Sequence, residues 1–164
     1  MKTKRIVIVQ CRLSSTRLPG KALKDLAGRP VLAWCLSAMH KVKADRYFVA
    51  TDHDSYEKLL PVCKENNFEC FAGDLNDVLQ RFVDLLNTVD CETVIRATAD
   101  NPFLFYEAAE ESAELFEEKN KKGHCDYLTY AGLPHGSGVE IFSAASLKKA
   151  ITETDSPYDH EHVG

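Results

Sequence analysis

The chain has 164 residues, 45% of them hydrophobic and 27% charged, and its 20 Lys+Arg against 25 Asp+Glu give a formal net charge of −5. That length supports one domain around one core, and ordinary apolar content with so small a charge excess excludes a disordered chain. The acidic balance excludes a passive nucleic-acid coat, and no apolar run reaches the ~18–20 residues of a membrane span.

In chain order, the basic start Met1 to Arg5 precedes only a short apolar stretch, Ile6 to Val9. That is too short for the apolar region of a signal peptide, so the sequence reads as cytosolic. Arg5 to Gln10 is a β-branched run and the first expected strand. A helix is expected over 30–42, with Pro30 in its first turn, where a missing N–H costs nothing. A strand over 47–51, a helix over 55–66 and a strand over 68–71 follow. The helix over 76–88 carries Val78, Leu79, Phe82, Val83, Leu85 and Leu86 along one face. After a strand over 93–97, Asn101-Pro102 opens the longest expected helix, to about Lys122. Its front holds Glu107, Glu110, Glu111 and Glu114 and its end Lys119, Lys121 and Lys122, an order that complements the helix dipole. That face reads as a solvated outer surface. Strands over 126–130 and 139–142 and a helix over 144–152 complete the chain.

Six cysteines (11, 35, 63, 70, 91 and 125) form no CxxC pair and read as reduced thiols, not zinc ligands. Short strands alternating with amphipathic helices imply an α/β fold, a mostly parallel sheet wrapped by helices, in one domain over 1–164. In such sheets ligands bind on the loops beyond the carboxyl ends of the strands.

The first of those loops stands out. Residues 10–21 bring Arg12, Arg17 and Lys21 together with Ser14, Ser15, Thr16 and a Pro19-Gly20 turn. Arginine and lysine hold phosphate through charge-assisted hydrogen bonds, and hydroxyls and loop N–H groups take the remaining oxygens. Two familiar phosphate loops are excluded: Gly20-Lys21 is followed by Ala22 rather than Ser or Thr, and no GxGxxG occurs. A solvated basic loop is the alternative.

The stretch Cys11-Arg-Leu-Ser-Ser-Thr-Arg-Leu-Pro-Gly-Lys21 resembles the A-R-x-x-S-T-R-L-P-G-K signature of bacterial sugar cytidylyltransferases. It is most like the branch called spore coat polysaccharide biosynthesis protein F, with more distant similarity to ketodeoxyoctulosonate and acylneuraminate cytidylyltransferases. Further segments match in order: Ala22 to Leu32, Ala50-Thr-Asp52, Gly73 to Arg81 (G-x-x-x-D-V-L-x-R), Arg96 to Pro102 (R-x-T-G-D-x-P), Gly136 to Phe142 and Glu161-His-Val163. The resemblance implies a Rossmann-like three-layer nucleotide-diphospho-sugar transferase fold. It also implies transfer of CMP from CTP to an acidic sugar or sugar phosphate, with release of pyrophosphate, in surface polysaccharide biosynthesis. The partners implied are CTP and a sugar acceptor, with neither nucleic acid nor membrane, and a homodimer.

On that resemblance Arg12 and Lys21 hold the triphosphate, Arg17 neutralises charge, and Cys11, Ser14, Ser15 and Thr16 complete the phosphate cradle. Asp100 matches the family's magnesium ligand, which makes Mg²⁺ the expected cofactor. Its position before an expected helix also suits an N-cap. Asp52, Gly73, Asp77 and Arg81 match nucleotide-contacting positions. By spacing alone, however, Asp77 and Arg81 make a surface ion pair on a helix, and Asp52 is a turn residue. Asn101, Glu140 and His162 border the acceptor site by resemblance, although His160-Glu161-His162 also reads as a polar tail. Departures are Ala99 in place of a glycine and Gly138 in place of an aspartate. The family pattern also continues beyond Gly164 with a second metal aspartate, so its C-terminal part is expected to be missing here. Two further readings keep the fold: a catalytically silent nucleotide-binding or scaffold module, and a glycosyltransferase using Asp52-His53-Asp54 as its DxD pair.

Overall fold

A computed structural model describes residues 4–163; the start at Met1, Lys2 and Thr3, and Gly164, lie outside the described residues. Strand β1 (Arg5–Gln10) leads through the 11–20 loop and a single 3-10 turn (Lys21–Leu23) into a small hairpin, β2 (Asp25–Leu26) and β3 (Arg29–Pro30). Then come α1 (Val31–Met39), β4 (Arg46–Asp52), α2 (His53–Glu65), β5 (Glu69–Gly73), α3 (Val78–Thr88) and β6 (Thr93–Thr98). The chain closes with α4 (Tyr106–Lys122), β7 (Tyr127–Thr129), β8 (Glu140–Ser143), α5 (Ala144–Glu153) and α6 (Pro157–His162).

The main sheet is six-stranded in the order β5-β4-β1-β6-β8-β7, with β5, β4, β1 and β6 parallel and the β6–β8 and β8–β7 pairs antiparallel. Alternation along β1 builds two cores. Val7 and Val9 face the helices α1, α2 and α4, whereas Ile6 and Ile8 face α3 and α5. All four residues are completely buried, as a central strand covered on both faces requires. This is the three-layer arrangement expected from the sequence.

Four local expectations are corrected. The residues before α1 pair with β2, so Pro30 is the N-cap rather than the first helical residue. Helix α2 starts at His53, because Asp52 caps it. Helix α4 starts at Tyr106 and not at Asn101-Pro102. Asn101 folds its Oδ1 onto the Phe103 N–H (2.8 Å), Leu104 enters the core, and the Phe105 N–H is taken by the Ser137 carbonyl (3.0 Å). Finally, the expected polar tail contains α6, capped by Ser156 with Pro157 at its start and anchored on the second core by Val163.

The acidic face of α4 is not all solvated surface. Arg5, 9% exposed, is clamped between Glu110 (2.9 Å) and Glu117 (2.8 Å), and donates to the Lys43 carbonyl as well. Those bonds hold its pKa above the usual arginine range despite burial. They pin α4 to the amino ends of the strands, opposite the loops described next.

Candidate active site

Strand order reverses at β1: β4 and β5 lie to one side and β6 to the other. The crevice at such a switch point is where open α/β sheets bind ligands. Register pairs Gln10 with Thr98, so the loops leaving β1 and β6 emerge side by side. Lys21 Nζ, from the first loop, lies 4.0 Å from Asp100 Oδ2, from the second. Both side chains are open to solvent, at 38% and 68% exposure.

The first loop is shaped from inside. Gly20 adopts a left-handed φ of 68° and donates to the Leu13 carbonyl (2.9 Å), drawing the two ends of the 13–20 segment together. Arg12, Ser14, Thr16 and Arg17 are exposed on that curl, and Ser15 Oγ accepts from the Leu18 N–H (3.4 Å). Cys11 is buried in the core, which pushes its thiol pKa up, so it adds backbone but no side chain to the surface. All six cysteines are free.

Behind the loop stands Asp52, 3% exposed. Its carboxylate accepts from the Ser55 N–H (3.0 Å) and Oγ–H (2.7 Å), and Ser55 Oγ in turn accepts from the Leu13 N–H (3.1 Å). Asp52 is therefore a helix cap that holds the basic loop through one serine, and the Asp52-His53-Asp54 pair is not presented jointly to a ligand. Substituting Asp52 with alanine is expected to lower stability by about 1–2 kcal/mol, the worth of a strong N-cap, read as an earlier urea midpoint.

The Asp77–Arg81 surface pair does not form. Asp77 caps α3 through the Gln80 N–H (2.8 Å) and binds His160 Nδ1 (2.6 Å). Arg81 is completely buried, crossing Gly73 to donate to the carbonyls of Asp74 (2.7 Å) and Leu75 (3.0 Å). A Cβ on Gly73 would lie 2.7 Å from Arg81 Cγ, so the glycine is required by this close approach. Burial pulls the Arg81 pKa down, Asp52 opposes that shift and the neighbouring Arg12 adds to it. One buried nitrogen, Nη1, has no hydrogen-bond partner among the described residues. The spacing G-x-x-x-D-V-L-x-R thus encodes a buried cation behind the basic loop.

A cavity of about 250 Å³ opens beside the β6 end of this crevice, lined among others by Arg96, Thr98, Tyr130, His135 and Glu140. Glu140 is occupied on both oxygens, by Arg96 and by the Tyr127 hydroxyl (3.1 Å). Arg96 also donates to Gln10 Oε1 (2.9 Å). Asn101 adjoins this cavity through its side-chain amide, close to Gly136. Its carbonyl accepts from Cys35 Sγ (3.0 Å), and burial pushes the Cys35 thiol up to about 12. His162 is exposed on α6, its ring tilted against that of Tyr158 with the ring centres 4.3 Å apart. Sequence reasoning passed over Arg96 as a site residue; a lone cation inside the β-branched run Thr93 to Thr98 was the available signal.

One departure and the expected metal ligand gain a structural account. The Ala99 methyl is buried in the core and its N–H continues the ladder to Gln10, so it does not crowd the crevice. Asp100 cannot be the cap of α4, whose N-cap is Phe105. As for a metal, among the described residues no group of three His, Cys, Asp or Glu side chains could hold an ion by itself. The exposed carboxylate of Asp100 beside a cationic loop fits an ion that takes most of its ligands from phosphate and water. Among the described residues, no helix is long and apolar enough to cross a membrane.

Comparison with known proteins fits this geometry. A spore coat polysaccharide biosynthesis protein, SpsF of Bacillus subtilis, is 30% identical over 148 residues, 87% of this chain and 60% of the relative. A cytidylyltransferase structure from Leptospira borgpetersenii superposes with a TM-score of 0.89 at 27% identity, over 98% of this chain and 68% of that one. The fold is also that of a CMP:2-keto-3-deoxy-manno-octonic acid synthetase solved with CTP, at a TM-score of 0.75 and 17% identity over 96% of this chain and 82% of that one. The chain spans about three fifths of the length of the curated relatives it matches. The cytidylyltransferase family model matches residues 6–164, and with the basic loop, the Lys21–Asp100 approach and the Rossmann-like sheet in place, the chain belongs to that family.

Proposed function

We propose that this chain builds the nucleotide side of a CTP-dependent cytidylyltransferase that moves CMP onto an acidic sugar or sugar phosphate and releases pyrophosphate. The observation that carries this reading is the approach of Lys21 to Asp100 across the switch point, with Arg12, Ser14, Thr16 and Arg17 exposed on the same loop. In-line displacement at a phosphate asks a protein mainly for position and charge neutralisation. Arg12 and Arg17 would neutralise the triphosphate, and Lys21 would stabilise the charge that develops on departing pyrophosphate. Asp100 would hold Mg²⁺, which supplies Lewis-acid neutralisation of the phosphate oxygens. The cavity beside Arg96 and Tyr130 is the natural seat for the acceptor, and its hydroxyl would attack from there.

The test is pyrophosphate release by the natural full-length protein with CTP, Mg²⁺ and a panel of sugar acids and sugar phosphates. Acceptor-dependent release is the expected result, and none with any member of the panel would sink the reading. One observation favours an alternative: among the described residues no group of three carboxylate, histidine or cysteine side chains could hold an ion, which suits a module that binds nucleotide without turnover. It predicts thermal stabilisation by CTP that survives Asp100→Asn, with no pyrophosphate released.

A further inference from the structure

Helix α6 is tied to the site by two adjacent residues. Glu161 Oε1 stands 3.7 Å from Arg12 Nη2, on the basic loop. His160 lies between two oxygens, its Nδ1 2.6 Å from Asp77 Oδ2 and its Nε2 3.0 Å from the Thr154 carbonyl. Both partners are acceptors only, and a neutral imidazole has a single N–H, so the ring satisfies both contacts only as imidazolium. The rest of the segment is braced for this pose: Ser156 caps α6, the Thr154 hydroxyl donates to Asp159 (2.6 Å), and Val163 is buried.

We propose that α6 is a clasp on the basic loop and that His160 is its positioning residue: by holding α6 against the start of α3 it sets Glu161 on Arg12, and an incoming polyphosphate must take Arg12 from Glu161. The inference rests on the reading that this loop holds a triphosphate. The groups facing His160 are Asp77 from α3 and Asp155 from the α5–α6 link, while its neighbour Glu161 faces Arg12. The bonds to Thr154 and Asp77, and the negative charge of Asp77 and Asp155, raise the His160 pKa above its usual value. A raised histidine pKa stabilises the clasp fully below the ordinary value of about 6.5, and that stabilisation is lost as pH rises through the raised value. Arg12 is therefore released on the alkaline side.

The experiment measures binding of CTP and of inorganic tripolyphosphate across pH in the natural protein, His160→Phe and Glu161→Gln, with the His160 ring followed by NMR. Taking the variant-to-natural affinity ratio at each pH cancels the ionisation of the phosphate itself. At about pH 5.5 both variants should bind about three- to fivefold tighter, the scale of one exposed ion pair, and the ratio should fall to about one near pH 8.5. The His160 pKa should drop in Asp77→Asn. CTP binding with the same pH profile in all three proteins overturns the clasp and leaves the nucleotide reading intact. Tripolyphosphate binding that follows the expected ratios, without binding of CTP, sinks the nucleotide reading and upholds the clasp. Failure of both to bind at any pH overturns the two together.

Discussion

Substituting Lys21 with alanine is expected to lower kcat/KM for CTP by about 10²–10³-fold while leaving the urea midpoint nearly unchanged. The size follows from what a preorganised cation is worth at developing phosphate charge. The neutrality toward stability follows from the site: the side chain is 38% exposed, and its pairing to Asp100, at 4.0 Å, is an exposed one. On the proposed reading, such a group serves a ligand rather than the fold. Asp100→Asn should separate two steps, keeping nucleotide binding through Arg12, Arg17 and Lys21 while turnover falls. Direct binding measurements beside steady-state kinetics distinguish the two. In a protein with measurable turnover, a Lys21→Ala variant retaining its kcat/KM would remove the loop from the chemistry.

The parts of this fold legible from sequence are those whose causes are local. Strands β1 and β6 are apolar on both faces, because each is central in the sheet and covered by helices from two sides. The basic loop is visible because three cations within ten residues contradict an acidic chain. What failed was decided at a distance. Asn101-Pro102 has the look of a helix start, yet Leu104 is drawn into the core and the backbone at 105 is claimed by Ser137. Asp77 and Arg81 have ion-pair spacing, yet each has a better partner elsewhere, Asp77 in a histidine 83 positions away and Arg81 in two carbonyls at the end of β5. Helix α6 has little apolar content to announce it; the sequence could not show that Val163 and His160 would find α3. The resemblance gives Gly73, Asp77 and Arg81 as nucleotide-contacting positions, whereas the packing gives each a structural role: a close approach, a helix cap and a buried cation.

Arg81 should be the most costly of these positions to truncate. Its guanidinium is fully buried with no carboxylate in hydrogen-bond contact among the described residues, so burial of the charge opposes folding and lowers its pKa, with Asp52 offsetting part of that shift. Two carbonyl bonds and the volume of the side chain outweigh that cost. Arg81→Ala removes all three at once, leaving a cavity and stranding the carbonyls of Asp74 and Leu75, and is expected to destabilise by about 3–4 kcal/mol. Arg81→Met keeps most of the volume and relieves the buried charge, so its loss should be nearer 1–2 kcal/mol. Only the methionine variant then isolates the electrostatic role: stable enough to assay, it should bind CTP more weakly, because the positive charge behind Arg12 is gone. Gly73→Ala approaches the same contact from the other side. Its new methyl would meet Arg81 Cγ at 2.7 Å, and the forced displacement should cost about 1–3 kcal/mol. Because both changes act on one contact, the double variant Gly73→Ala/Arg81→Ala should lose clearly less stability than the sum of the single losses. Urea unfolding of the four proteins measures that coupling. Strict additivity would mean that Gly73 is not there to make room for Arg81.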